Sequence, residues 1–328
     1  MKIRLLPFVL LVVPAVLLSM LATPAHAQVG AVSDSLYVLT PDASFEEGCF
    51  APCLCITHYY DDLVGTLRMK EVAPEPLFQV FEITEINWLV PRLGYRVTGK
   101  GSYRIGGEFA RMHQLQLDLL VGDRTVQHYD SGLVLGGAEF PGIVLSISMN
   151  SMICTDTVFH VKAKPALAAR AVPYSLQGAT YNEGCYGVCL CVVVSHPLVG
   201  RFGLLKLKET TEAADYAVLG VDWGVRQSNA GASTNDTRVT GYGLYRTSHS
   251  GTQRMLLDLI EDGAGPTRFD SGTVPGDDNV KMIDVDVAEN GFACFDRVYS
   301  ILAKRRSGHI GLQSIDPEPV PWPVVPVP

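Results

Sequence analysis

Positive charge is scarce in this chain. Its 328 residues carry 26 Lys and Arg against 34 Asp and Glu, with no basic stripe. An acidic surface repels phosphate backbones and anionic membranes, so no nucleic-acid partner is expected. Long apolar runs are equally lacking beyond residue 21, so no membrane span is expected once the leader described below is removed. No stretch of helical length shows helical periodicity. No phosphate-cradling Gly loop, metalloprotease motif, EF-hand loop or dinucleotide fingerprint is present. Gly99-x-Gly101 lies inside a β-like run and opens no helix, which removes it as a nucleotide site.

What is present begins with an export signature. Lys2 and Arg4 precede an apolar run from Leu5 to Leu21, and Ala25-His26-Ala27 offers a small-residue cleavage site. This order describes a signal peptide over 1–27. Removing Lys2 and Arg4 leaves 24 basic against 34 acidic residues, a net charge of −10. The expected location is secreted, extracellular or periplasmic.

The rest of the chain says one thing twice. Tyr37–Lys164 and Tyr174–Lys304 each open with Gly-Cys-x-x-x-Cys-Leu-Cys and close with Cys-x-Asp-x-Val. Both hold Leu-Val-Gly, a Trp (Trp88, Trp223), Arg-Val-Thr-Gly-x-Gly-x-Tyr-Arg, Leu-Asp-Leu and Asp-Ser-Gly-x-Val. A period well over a hundred residues means tandem domains, each long enough to bury its own core. The expected layout is copy one over 28–164, a linker over 165–173, copy two over 174–306 and a Pro-rich tail over 307–328. The tail, DPEPVPWPVVPVP from Asp316, favours extended polyproline II.

Short Val, Ile, Leu, Thr and Tyr runs punctuated by Gly, Asp, Asn and Pro read as strands. In copy one they are Leu54–Tyr59, Gly65–Lys70, Gln79–Val90, Tyr95–Arg104, His113–Val121, Thr125–Asp130, Ile143–Met149 and Val158–Lys162. In His113–Val121, Leu115, Leu117 and Leu119 share one face while Gln114, Gln116 and Asp118 take the other, the pattern of a sheet wet on one side. The fold class expected is all-β: two tandem antiparallel domains, each a β-sandwich or a small β-barrel, with the sandwich preferred.

Cysteines come four per copy: Cys49, Cys53, Cys55 and Cys154, then Cys185, Cys189, Cys191 and Cys294. In an exported chain that count implies two disulfides per domain. On an extended strand Cys53 and Cys55 face the same side, so they are poor partners for each other. The expected pairs are Cys49–Cys53 with Cys55–Cys154, and Cys185–Cys189 with Cys191–Cys294, the choice between the two central cysteines being open. The rival reading is four thiolates holding zinc or copper. His58 would join in copy one, but Val194 stands at the matching place in copy two.

Catalytic sets are hard to assemble. Ser131 and Ser271 match across the copies, as do Asp118 and Asp258, Asp130 and Asp270, and Asp156 and Asp296, yet no histidine does. Asp130-Ser131-Gly132 suits a turn whose Asp accepts backbone hydrogen bonds. Asp118, Asp130 and Asp156 are the carboxylates available for glycoside chemistry, with a structural role preferred for each. Arg96 and Arg238 are candidates to pair with such an Asp, and a buried pair would specify packing more than supply energy. Asn235-Asp236-Thr237 is a glycosylation sequon in a Gly/Ser/Asn-rich stretch. The chain therefore reads as a secreted non-enzymatic binding or extracellular structural protein, without cofactor or metal, that meets an extracellular ligand or protein. The alternatives are an extracellular metal-binding protein using the Cys clusters and a hydrolase with one active copy.

Overall fold

The computed structural model describes residues 34–54, 56–72, 74–166, 171–189, 191–226, 236–276 and 280–307. The leader, Cys55, Asn235 of the sequon, part of the linker and the Pro-rich tail lie outside them. Among the described residues there is no helix, and so none long and apolar enough to cross a membrane.

The first sheet comprises β1 (Ser35–Leu39), β2 (Ser44–Phe50), β3 (His58–Asp62), β4 (Val64–Glu71), β5 (Phe78–Val90), β6 (Tyr95–Gly106), β7 (Met112–Val121), β8 (Gln127–Asp130), β9 (Val134–Leu135), β10 (Ile143–Ser148) and β11 (Cys154–Pro165). Its pairing runs β1-β4-β5-β6-β7-β8-β10-β11, and β11 returns to β1 through Tyr37↔Pro165, Val38↔Lys164 and Leu39↔Ala163. The sheet is thus a closed antiparallel barrel. β2 continues the line of β1 along the same edge of β11, and β3 continues into β4 across Leu63. Closure selects the barrel over the preferred sandwich, and it removes the free edges an open sheet would expose.

The second sheet comprises β12 (Val172–Leu176), β13 (Ala179–Cys185), β14 (Val194–Glu209), β15 (Ala213–Val225), β16 (Thr237–Ser248), β17 (Thr252–Glu261), β18 (Ala264–Asp270), β19 (Val274–Pro275), β20 (Met282–Ala288) and β21 (Phe295–Arg305). It closes in the same order, with β14 against β15 and β12 against β21.

Side chains fill both barrels. Leu115, Leu117 and Leu119 point inward with no exposure, as their alternation with polar residues requires. Trp88 and Phe45 pack on Phe159, ring centroids 5.8 and 5.2 Å away. Trp223 and Phe269 pack on Tyr299 at 5.7 and 5.0 Å. Gly65 and Gly200 let neighbouring strands approach closely. A Cβ on either would lie 2.2 Å from a backbone carbonyl, and both have φ near +144° (+145 and +143).

Strand expectations fail where the chain is polar or turns. Leu54–Tyr59 is a strand only at its end: Leu54 and Ile56 lie in the loop between β2 and β3, and His58 and Tyr59 open β3. β2 carried no strand signal strong enough to read, since Ser44–Phe50 is SFEEGCF, and β1 (SLYVL) was not among the expected strands.

The loop also corrects the disulfides. Cys53 bonds Cys154, Cys189 bonds Cys294 and Cys185 bonds Cys191; Cys49 is disulfide-bonded as well. The expected Cys49–Cys53, Cys55–Cys154, Cys185–Cys189 and Cys191–Cys294 pairs are replaced because Cys53 and Cys189 sit in hairpin loops rather than on an extended strand. β13 and β14 pair through Glu183↔Val194, so Cys185 and Cys191 stand on opposite limbs of the loop. Cys189, near its tip, is left to reach Cys294 ahead of β21. The two long-range bonds close loops of 101 and 105 residues, worth about 4–5 kcal/mol each in the chain-entropy model.

Candidate binding cleft between the two barrels

The barrels meet along outer faces. β15 is buried on both sides from Ala213 to Leu219, so it carries an unbroken run (AADYAVL) where a one-sided strand would alternate. Leu36 of the first barrel packs with Ala171, Leu205, Ala217 and Leu219, while Val64 and Leu89 pack with Leu244.

Within this apolar contact sits a buried ionic group. Arg96 Nη2 donates to Asp258 Oδ2 at 2.5 Å and to Asn87 Oδ1 at 3.1 Å, and Asn87 Nδ2 donates to Gly243 O at 2.6 Å. Arg268 Nε lies 3.5 Å from the other Asp258 oxygen. Burial pulls the Arg96 guanidinium below its ordinary pKa, and Asp258 opposes that shift. Burial pushes the neighbouring Tyr242 phenol up, with Asp258 adding to it. Arg96 and Asp258 thus meet each other across the two barrels.

The remaining sequence candidates go elsewhere. Asp118 stays exposed beside His128 Nδ1 at 2.8 Å, and Arg238 stays exposed beside Asp222 at 3.4 Å. Asp156 is buried under the 149–152 turn, accepting amides from Asn150, Met152 and Thr157. Asp296 does the same for Asn290, Phe292 and Arg297. Asp130 and Asp270 accept the amides of Gly132 and Gly272 at 2.8 Å. Ser131 Oγ accepts the Leu115 amide and donates to Gly132 O; Ser271 Oγ does the same with Met255 and Gly272. These hydroxyls and carboxylates are engaged in holding turns.

Beside the interface opens a cleft of about 170 Å³. Leu89, Pro91 and Gly94 of the first barrel form one wall, and the outer face of β15–β17 forms the floor. Three charged residues cross that floor in one row, Asp215, Arg246 and Arg254, and Asp270 extends the row just beyond it. Asp215 pairs in register with Arg246, and Arg246 with Arg254. Arg254 grips Asp270 through Nε at 3.0 Å and Nη2 at 2.6 Å, which raises its pKa. Asp215 is only 4% exposed, its Oδ1 has no hydrogen-bond partner, and Arg246 Nη1 stands 3.6 Å away. Burial pushes the Asp215 carboxyl up, against the pull of Arg246 and Lys208.

The first barrel resolves the same row differently. Val80, Arg104, Gln114 and Asp130 occupy the matching register positions. Arg104 Nε and Nη2 donate to Gln114 Oε1 at 2.9 and 2.6 Å, and Gln114 Nε2 donates to both Asp130 oxygens at 2.8 and 2.9 Å. Burial works against Asp130, but the Gln114 and Gly132 donors hold its pKa below the ordinary value.

Asp215, Arg246 and Arg254 carried no site assignment in the sequence. The available signal was an ionisable residue inside the apolar run of β15, and an Arg where the other copy has Gln. No family model, curated protein or solved structure matches this chain.

Proposed function

We propose that this is a secreted, non-enzymatic protein of two disulfide-braced β-barrels, acting by binding or as part of an extracellular structure. One observation carries the reading: the cleft keeps a charged row whose hydrogen-bonding capacity the fold does not use up, while Ser131, Ser271, Asp156 and Asp296 are spent on turns. Filled barrel interiors leave recognition to outer surfaces. Disulfides fit an oxidising compartment. The disulfide-bearing loops also hold fully exposed apolar residues, Leu54 and Ile56 in one barrel and Val188 in the other. Large apolar side chains kept in water by covalent bracing favour contact with a partner.

The competing metal reading loses its thiolates, because every described cysteine is disulfide-bonded. Among the described residues no group of three or more His, Cys, Asp or Glu has a metal-holding arrangement.

Intact mass in denaturant before and after reduction, metal analysis of the native protein and a turnover panel on glycosides and esters test the reading together. Full oxidation, no stoichiometric metal and no turnover are expected. Turnover abolished by changing Asp118, Asp130, Asp156 or Asp215 would replace the binding protein with a hydrolase.

A further inference from the structure

We infer that the interbarrel cleft is a binding site for a small zwitterion of the α-amino acid type, its carboxylate received by Arg246 and Arg254 and its ammonium by Asp215. This rests on the binding-protein reading and names the ligand class for that site.

The two barrels treat this row differently. The row Val80–Arg104–Gln114–Asp130 is satisfied internally by a neutral amide bridging Arg to Asp. At the same register the second barrel places Asp215 and Arg254. The change sets two guanidiniums directly opposite each other on β16 and β17, an arrangement that costs stability. It also buries a carboxylate oxygen without a hydrogen bond, which costs more. The fold has a cheaper solution and uses it in the other barrel. The costly version occurs where the first barrel walls off a cleft, and a strained polar arrangement facing a cleft points to a ligand.

Unused bonding capacity defines what that ligand offers. Arg254 spends Nε and Nη2 on Asp270 and keeps Nη1. Arg246 makes no hydrogen bond to Asp215 at 3.6 Å, so its fork remains available to a planar acceptor. A carboxylate between the two guanidiniums removes their mutual repulsion. Asp215 then calls for a donor a few ångströms away, and an ammonium on the same carbon as the carboxylate supplies it.

Charge balance selects the zwitterion over a simple ion. The row holds two Arg and two Asp, so it is neutral before binding. An anion or a cation alone would leave one uncompensated charge in a partly desolvated cleft, whereas a zwitterion leaves none. Size agrees: an enclosed cavity of about 150 Å³ holds a benzene molecule, and the cleft here is about 170 Å³. Leu89, Pro91 and Leu244 give the ligand side chain an apolar wall.

Calorimetric titration of the disulfide-intact chain, paired with proton NMR of the ligand, tests the assignment. The probes are leucine, glycine, acetate, methylammonium and glucose. Leucine is expected to bind saturably, glycine more weakly, and acetate, methylammonium and glucose at least tenfold more weakly than leucine. The double variant Asp215→Val/Arg254→Gln installs the first barrel's own residues, so it is expected to fold with an unchanged or higher Tm and to lose leucine binding at least tenfold. Glucose or acetate binding as well as leucine, no leucine binding, or binding unchanged in the folded double variant would overturn the ligand assignment and leave the binding-protein reading standing. Leucine chemically altered by the natural chain, but not by the double variant, would instead uphold the site and overturn the non-enzymatic reading.

Discussion

Arg96 of the first barrel and Asp258 of the second form a buried ion pair, each no more than 5% exposed, although their register equivalents Arg238 and Asp118 both stay in solvent. The contact is therefore heterologous: the β5–β6 face of one barrel meets the β16–β17 face of the other. Asp258 is shared, with Arg96 on one oxygen and Arg268 on the other. Removing its charge leaves the buried Arg96 guanidinium beside the half-buried Arg268 with no counter-charge. Asp258→Asn is therefore expected to destabilise the interface by about 3–5 kcal/mol. Arg96→Met should cost clearly less, because the Asp258–Arg268 pair survives and the long apolar side chain still packs. Chemical denaturation of both variants checks the order, and an equal or reversed order would show that Asp258 does not hold the two guanidiniums together.

His113 predicts a pH dependence. It is 3% exposed, meets Tyr103 Oη at 3.2 Å, and its pKa is lowered by burial, with Arg111 adding and Glu139 opposing. Its folded pKa thus lies below that of the unfolded chain, roughly 6.5. The unfolded state binds the proton more readily, so this group's stabilising contribution is complete above that value and falls as the pH drops toward the folded pKa. The second barrel has Gln253 here, accepting from Tyr245 Oη at 2.9 Å. His113→Gln is expected to flatten the Tm profile between roughly pH 6.5 and 5 while preserving Tm at pH 8. A profile equally steep in the variant would assign the acid sensitivity to other groups.

Much of this was legible in the chain. Alternation in His113–Val121 placed Leu115, Leu117 and Leu119 in the core, and Asp-Ser-Gly announced the turns that Asp130 and Asp270 cap. Barrel closure was not, because it rests on three residue pairs between β1 and β11, far apart in sequence. The disulfide pattern was misread for a local reason: Cys53 and Cys189, assumed to be on extended strands, lie in hairpin loops. The cleft was hidden for a third reason. Asp215 is an unremarkable acid until Leu89 and Pro91 of the other barrel are placed opposite it.

The corrected bonds carry their own prediction. Cys189–Cys294 ties a loop tip to the start of β21 across 105 residues, whereas Cys185–Cys191 spans 6. By loop-closure entropy the first should be worth about 4–5 kcal/mol and the second about 2 kcal/mol. The Cys189→Ser/Cys294→Ser double variant should therefore lose more stability than Cys185→Ser/Cys191→Ser. Equilibrium unfolding under non-reducing conditions decides it, and the opposite ranking would mean that native contacts, not loop closure, set the value of each bond.

A heterologous contact between two like-folded barrels raises the question of why chains do not continue docking end to end, since such contacts propagate unless blocked. The answer lies in one cross-strand row. On the second barrel Leu205, Ala217 and Leu244 form the apolar docking surface. Their register equivalents on the first barrel are Lys70, Glu82 and Ser102, with Lys70 and Glu82 exposed. Any incoming barrel would have to desolvate that Lys–Glu pair. The opposite surface is also blunted, because Gly224 stands where Leu89 would supply the apolar contact. The combined variant Lys70→Leu/Glu82→Ala/Ser102→Leu with Gly224→Leu restores apolar complementarity on both ends, and Gly224 has room for a side chain. It is expected to associate with rising concentration, giving a ladder of sizes by sedimentation velocity, well beyond any association of the natural chain. Sedimentation unchanged from the natural chain would show that shape, rather than this charged row, ends the series.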